Sequence, residues 1–374
     1  MTAFTDFPIS ASLQKKIALA KFVTPTPVQA AAIPPALEGK DVLATAQTGT
    51  GKTLSFLIPI IERLQKSEVK GATALVLLPT RELAMQVEQA YLKLVQGSNY
   101  QAALVVGGLS EGSQLQSIRR GARMIVATPG RLEDFLKRRL VALDKIEILV
   151  LDEVDRMLDM GFRPAIRRIV SSIPAKRQTL CYSATMESPI TEVVGEYLTN
   201  PVRIEIGSVL KPSENVKLRT FEVSNERKMP LLEHLLRSEE GSFLVFVRTK
   251  HGAERVAKKL CHAGWGATSI HGDRSQSQRI AALKSFSNGK HRVLVATDVA
   301  ARGIDVAHIA HVVNYDMPKM AEDFVHRIGR TGRASCQGVA STFAAPEERN
   351  DLRKIERVLR ISMERYRVKD AMIA

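Results

Sequence analysis

Cysteine is scarce in this chain. Its three cysteines, Cys181, Cys261 and Cys336, lie far apart and in no metal-ligand spacing. That excludes a disulfide framework and fits a reducing, cytoplasmic setting. Long apolar runs are missing too. None approaches the roughly 18–20 residues of a membrane span, so no membrane partner is expected. Residues 1–16 lack a charged start followed by an apolar block, and no secretory leader is expected. Acidic charge is in deficit: 54 Lys and Arg face 39 Asp and Glu, a net +15. Residues 1–206 carry +5 of this and residues 217–374 carry +10. Such an excess suits a polyanionic partner, because basic surface releases counterions condensed on phosphates. A merely basic soluble surface has the same composition. With 45% hydrophobic and 25% charged residues, the chain is neither disordered nor fibrous, and its length suits two or three domains.

Short runs rich in Val, Ile and Leu alternate with helical patterns. In the first half they are Asp41–Thr45, Ala74–Leu78, Ala102–Val106, Met124–Thr128, Ile148–Asp152 and Thr179–Ser183. In the second they are Phe243–Val247, Ala267–Ile270, Arg292–Thr297, His311–Tyr315 and Val339–Phe343. Continuous apolar strands between helices imply parallel sheets covered on both faces, the doubly wound α/β class. An internal echo implies two such sheets. Leu75–Thr80 (LVLLPT) matches Leu244–Thr249 (LVFVRT) at an offset of 169, and Val126–Thr128 matches Val295–Thr297 at the same offset. Gly207–Val216 has Gly, Pro, Ser and Asn without periodicity and is expected to be a linker. It would divide a domain of residues 1–206 from one of residues 217–374. A basic helix is expected from Pro346 to about Asp370.

Three constellations carry chemistry. Ala46-Gln-Thr-Gly-Thr-Gly-Lys-Thr53 follows a strand and opens a helix, as a phosphate-binding loop does, with Ala46 in place of the usual first glycine. Its glycines let main-chain N–H groups approach phosphate oxygens at a helix N-terminus. Lys52 would reach the outer phosphates and the Thr53 hydroxyl would join Mg2+. Ile148-Leu-Val-Leu-Asp-Glu-Val-Asp155 is a buried strand ending in acids, where ligands sit in α/β sheets. Asp152 would hold Mg2+ and Glu153 would polarise an attacking water. His326-Arg-Ile-Gly-Arg-Thr-Gly-Arg333 sets Arg330 and Arg333 three residues apart, able to face one site. Guanidinium groups there could spread the charge of a transferring phosphoryl group. A basic turn on a solvated face is the plainer reading, but it leaves the interleaved glycines unexplained.

With these motifs in order, the sequence resembles a DEAD-box ATP-dependent RNA helicase of helicase superfamily two, near its bacterial branch, from about Phe4 to Phe343. The resemblance implies two tandem RecA-like domains, ATP and Mg2+ as cofactors, and RNA as partner. Phe22-Val-Thr-Pro-Thr-Pro-Val-Gln29 resembles the adenine-reading Q motif. There Phe22, Thr24 and Gln29 would bind the nucleotide beside Thr48, Gly49, Thr50, Gly51, Lys52 and Thr53. Phe4 stands where the family has an aromatic beside adenine, and an N-terminal core anchor is the alternative. Pro79, Thr80 and Arg81, the pair Gly107 and Gly108, and Thr128, Pro129, Gly130 and Arg131 resemble RNA-contact motifs. Their hydroxyls, amides and guanidiniums suit a sugar-phosphate backbone and not base edges, so sequence-blind binding is implied. Ser183-Ala-Thr185 resembles the motif that links hydrolysis to strand separation, its hydroxyls bonding the carboxylates of Asp152 and Asp155. In the second half, Arg248, Gly272 and Thr297 would face RNA. Gly303 and Asp305 would belong to the nucleotide site, with Asp305 accepting from the ribose, and His326 would bridge to the acids of the first domain.

Three positions depart from the family pattern: Lys21 where glycine is usual, Val154 where the name-giving motif has alanine, and Ser335 where many relatives have glycine. None removes a catalytic group. The resemblance implies that ATP and RNA together close the two domains, bend one RNA strand and eject its partner locally. Short duplexes would be unwound or RNA–protein complexes remodelled. An ATP-gated RNA clamp with little unwinding is the alternative. No zinc motif or basic tail follows the core, so protein partners are expected to direct substrate choice, and the chain is expected to be a monomer.

Overall fold

The apolar runs become parallel strands buried on both faces. In a computed structural model the chain divides into two units, Met1–Val209 and Leu210–Ala374. The structure describes residues 3–46, 50–185, 188–206, 214–301, 306, 309–332 and 336–368. The expected linker falls mostly on residues outside that set.

The first unit holds β1 (Val42–Ala46), β2 (Ala74–Leu77), β3 (Ala102–Val105), β4 (Met124–Ala127), β5 (Ile148–Leu151), β6 (Gln178–Ser183) and β7 (Val202–Ile206). They form one sheet in the order β3-β4-β2-β5-β6-β1-β7, every pairing parallel. Alternate residues of a strand serve opposite faces. Ala74 and Val76 join the core on one side of the sheet, and Leu75 and Leu77 join the core on the other. Helices therefore cover both faces, and each fully buried Val, Leu or Ile contributes about 1.5–3 kcal/mol.

The second unit holds β8 (Val216–Glu222), β9 (Phe243–Phe246), β10 (Ala267–Ile270), β11 (Val293–Ala296), β12 (His311–Asn314), β13 (Gly338–Ala344) and β14 (Glu364–Arg367). Its order is β10-β11-β9-β12-β13-β8-β14, which is the first order shifted by seven, again all parallel. The offset of 169 even preserves register. Ala74 pairs with Met124, and the residues 169 later, Phe243 and Val293, pair with each other.

Three strands are not apolar runs: β7, β8 and β14. All lie at the same side of their sheets, where one face or one edge meets water. Their sequences, VRIEI, VKLRTFE and ERYR, carry charge and are only partly buried, so the apolar criterion misses them. The basic C-terminal helix is correspondingly shorter than its composition implies. It spans Arg349–Leu359 and stops at Arg360, which takes a left-handed conformation at φ 52°. The chain then returns as β14, pairing with β8 and stacking Tyr366 on Phe221 at 5.2 Å between ring centres.

Parallel pairing sets every strand's C-terminal end on one rim of its sheet. The threonines that end the first echoed pair of runs sit there as helix caps. Thr80 accepts from the Leu83 N–H at 3.4 Å and Thr249 from the Gly252 N–H at 3.0 Å, which satisfies donors that the helix leaves open.

Candidate functional site

In the first unit the phosphate loop leaves β1 and enters the helix Lys52–Lys66 through Gly51, which has φ 89°. Lys52 is buried, and its Nζ donates to the Ala46 carbonyl at 3.0 Å. Thr50, Gly51 and Thr53 are half-buried beside it. Gln29 is buried as well, with both ends of its amide in use. Its Oε1 accepts from the Thr26 N–H at 2.9 Å, and its Nε2 donates to the Gly51 carbonyl at 2.9 Å. The residue expected to read adenine thus also braces the phosphate loop. A Cβ on Gly51 would lie 2.5 Å from Gln29 Nε2 and 3.1 Å from Thr26 Oγ1. Gly51→Ala should therefore combine left-handed strain with loss of that brace. At about 1–3 kcal/mol for the strain alone, ATP affinity should fall about tenfold or more, read by titration with a fluorescent nucleotide.

Phe22 is 45% exposed and Thr24 is exposed, whereas Phe4 is 5% exposed. Phe4 packs edge-to-face on Phe7 at 6.0 Å within the core that includes Leu13 and Ile17. Its ring is thus part of that core. Lys21, at the usual glycine position, has φ 63°. The left-handed turn that explains glycine there persists, at a cost of roughly 1–2 kcal/mol.

The acids follow β5. Asp152, Glu153 and Asp155 are all buried. Burial raises the Asp152 carboxyl to about 7; Lys52 opposes this, while the nearby Glu153 and Asp155 charges add to it. Asp152 Oδ1 accepts from the Glu153 N–H at 3.0 Å, and Glu153 takes φ 51°. The expected hydroxyl link from Ser183-Ala-Thr185 differs in kind. The Ala184 main-chain N–H donates to Asp155 Oδ2 at 2.9 Å, and the Ser183 hydroxyl accepts from the Thr185 N–H at 3.2 Å. A backbone donor needs no rotamer, so the tie is set by the strand end itself. Val154 is fully buried among Leu151, Met157 and Val193, and its extra methyls are absorbed by the core beneath the site.

The carboxylates fit a divalent cation. Crowded, buried acids are relieved by positive charge, as Lys52 already does in part for Asp152. Among the described residues no group of three or more His, Cys, Asp or Glu is arranged as a cage. Mg2+ does not need one, since it is held by one or two protein oxygens together with phosphates and water.

The other half of the same rim carries the remaining motifs. Pro79, Thr80 and Arg81 follow β2, Gly107 and Gly108 follow β3, and Thr128 with Pro129, Gly130 and Arg131 follows β4. Arg81 lies across Gly107, where an added Cβ would come 3.1 Å from its guanidinium. Arg131 is held 3.6 Å from Glu111 and lies over the Phe135 ring at 5.3 Å. The helices Arg81–Leu94 and Pro129–Lys137 start on this rim and turn their positive ends to it. The sheet order thus separates two groups: β3-β4-β2 bear one, and β5-β6-β1 bear the acids and the phosphate loop.

The second unit repeats the division. Arg248 follows β9, Gly272 follows β10 and Thr297 follows β11. The Arg248 N–H donates to Asp316 Oδ2 at 2.8 Å, and its guanidinium reaches Glu348 at 3.3 Å. His326 and Arg330 lie at the end of the helix Ala321–Ile328 and just beyond it, Arg330 buried. Thr48, Gly49, Gly303, Asp305, Arg333 and Ser335 lie outside the described residues.

Arg327, to which sequence reasoning gave no role, is heavily partnered. Only 3% exposed, it forks onto Asp298 at 2.6 and 2.8 Å and donates to Asn314 Oδ1 at 3.2 Å and the Asp316 carbonyl at 2.6 Å. Its glycine neighbour also has a backbone reason. Gly332 has φ 63°, with Asn215 backbone about where a side chain would go. The interleaved glycine that resisted a structural account in sequence is in part a turn requirement.

Residues 26–193 match the DEAD/DEAH box helicase family, and residues 227–335 match the helicase conserved C-terminal domain. The chain is 41% identical over 365 residues to the DEAD-box ATP-dependent RNA helicase CshA of Bacillus licheniformis, an alignment covering 97% of this chain and 75% of that protein. It is 44% identical to DEAD-box ATP-dependent RNA helicase 14 of Arabidopsis thaliana over 92% of its own length, but spans only 56% of the plant protein. Among solved structures, S. cerevisiae Dbp5 bound to RNA and ADP BeF3 superposes with a TM-score of 0.90 at 30% identity, covering 99% of this chain and 97% of that one. No helix among the described residues is long and apolar enough to cross a membrane. With these matches spanning both duplicated sheets, the chain belongs to the DEAD-box family of ATP-dependent RNA helicases.

Proposed function

We propose that the chain is an RNA-dependent ATPase that grips the RNA backbone without reading sequence, and that ATP turnover drives local unwinding of short duplexes or remodelling of RNA–protein complexes. The observation that carries this reading is the division of the rim. In each sheet the motifs suited to a sugar-phosphate backbone follow one set of neighbouring strands, and in the first unit the phosphate and acid motifs follow the other set. Dbp5 bound to RNA and ADP BeF3 supports the same pairing of ligands.

In this reading Lys52 and the main chain of residues 48–51 hold the ATP phosphates, and Phe22, Thr24 and Gln29 hold the adenine. Asp152 and Thr53 hold Mg2+, which neutralises phosphate charge when bound. Glu153 orients and deprotonates the attacking water. Ser183, Thr185 and His326 link the acids to RNA, and Arg330 and Arg333 stabilise the transferred phosphoryl group. Gly303 and Asp305 complete the nucleotide site. Pro79, Thr80, Arg81, Gly107, Gly108, Thr128, Pro129, Gly130, Arg131, Arg248, Gly272 and Thr297 contact RNA. The offset of 169 pairs Thr80 with Thr249, which adds Thr249 to the set. The working domains are residues 1–206 and 217–374, joined by 207–216, and turnover needs both because the arginines lie in the second. A monomer acting in the cytoplasm, directed by protein partners, completes the proposal.

Steady-state ATP hydrolysis with Mg2+, measured with single-stranded RNA, with DNA and with neither, tests it. Strong stimulation by RNA and not by DNA is expected. Hydrolysis indifferent to RNA would overturn the nucleic-acid half of the reading. Stimulation without strand separation in a duplex assay would favour an ATP-gated clamp.

A further inference from the structure

Glu254 lies on the helix Lys250–His262, which begins just after Arg248 and its cap Thr249. Its carboxylate reaches across to β10 and the loop that follows. Oε2 accepts from Ser269 Oγ at 2.9 Å and from the Arg274 guanidinium at 2.7 Å, and lies 3.3 Å from His271 Nε2. Arg274 also donates to Ser269 Oγ at 3.0 Å, which closes the ring of bonds. A second tie of reversed polarity joins the same helix to the same loop: Lys250 Nζ is 2.8 Å from Asp273 Oδ2. His271, Asp273 and Arg274 are thereby all held. The position left between them is Gly272, where an added Cβ would meet nothing within 4 Å.

Charge makes this arrangement informative. A carboxylate close to a phosphate seat repels RNA unless its charge is used elsewhere. Glu254 spends its charge inside the unit. Burial would raise its carboxyl, but hydrogen bonds from Ser269, His271 and Arg274 outweigh that and hold it at about 2. It stays ionised while engaged with Arg274.

We propose that Glu254 is a positioning residue of the RNA site: it locks the loop 271–274 so that the Gly272 main chain is presented, preformed, to an RNA phosphate. This rests on the RNA-backbone reading above. Preformed seats bind more tightly because the loop's ordering is not charged to the binding step.

The sign of the effect separates this from simple electrostatics. Removing an acid near bound RNA should tighten binding by charge alone, whereas removing a clamp should weaken it. In the full chain, Glu254→Ala is expected to raise the RNA concentration for half-maximal ATPase stimulation by about tenfold. The kcat at saturating RNA and the KM for ATP should stay within about twofold, since neither nucleotide nor acids are touched. Glu254→Gln, which keeps an acceptor, should fall between. Arg274→Ala should match Glu254→Ala, and the double variant should be no worse than either, as expected of one interacting unit. Asp273→Asn probes the second tie at an exposed position, so it serves even where Glu254→Ala fails to fold, and it too should weaken RNA binding. RNA dependence unchanged or tightened in Glu254→Ala and Asp273→Asn, in a wild type that binds RNA, overturns the inference alone. So does a double variant that tracks a much weaker Arg274→Ala, which would make Arg274 an RNA ligand. A wild type that does not bind a fluorescent single-stranded RNA overturns the inference together with the reading beneath it.

Discussion

Replacing Glu153 with glutamine is expected to lower RNA-stimulated ATP turnover by about 10²–10⁴-fold, the range lost when a positioned general base is removed. The substitution keeps the side chain's size. It also keeps the Glu153 N–H that donates to Asp152 Oδ1 at 3.0 Å, so the strand end should hold its shape. Glutamine cannot take a proton, which is the function proposed for this side chain. ATP binding should survive, because the removed charge is one of those that push the Asp152 carboxyl up to about 7. Without it, Asp152 ionises more readily and holds a cation at least as well. Single-turnover hydrolysis beside equilibrium nucleotide binding checks both halves. Turnover within tenfold of wild type would remove Glu153 from the proton-accepting role.

Arg327→Ala should cost the second unit about 2–4 kcal/mol, below the full range for a buried ion pair because Asp298 keeps part of its surface in water. The loss strands the Asp298 carboxylate, the Asn314 amide oxygen and the Asp316 carbonyl, all of which Arg327 satisfies. It also removes a guanidinium lying over the Phe246 ring at 5.2 Å. A fall in melting temperature on the order of 10 °C is expected for a domain of this size. Arg327→Lys should not rescue it, since one ammonium cannot reproduce a forked pair on Asp298 and two further acceptors. The melting curve is the informative measurement. Arg327 neighbours Arg330, and loss of activity alone would not distinguish a structural arginine from one that touches phosphate. A melt unchanged from wild type would show that the network is not needed for stability.

How much was legible in the sequence varies with the physics behind each feature. The other eleven strands were readable because burial demands a continuous apolar run, as in Ala74–Leu78 and Val293–Ala296. The edge strands β7 and β14 and the strand β8 beside one of them were not, because a strand wetted on one side tolerates the charges of VRIEI, VKLRTFE and ERYR. The phosphate loop and the acids announced themselves because their chemistry restricts residue type at fixed spacing. Phe4 and Phe22 are alike in sequence, and only packing distinguishes them: one ring is sealed against Phe7 and the other is open to solvent.

By itself, then, the sequence determined the fold class, the duplication and the family, since each rests on local pattern and order along the chain. Which residues share a rim was decided by tertiary structure. Parallel pairing in the order β3-β4-β2-β5-β6-β1-β7 gathers strand ends from positions 46 to 183 into two adjacent groups. The same is true of every residue that acts through another. Gln29 braces Gly51 from 22 residues away, Ala184 ties Asp155 from 29 away, and Glu254 locks a loop that begins 17 residues later. Hydrogen bonds between groups distant in the chain leave no spacing rule behind, because the fold and not the separation in sequence brings their atoms within bonding reach.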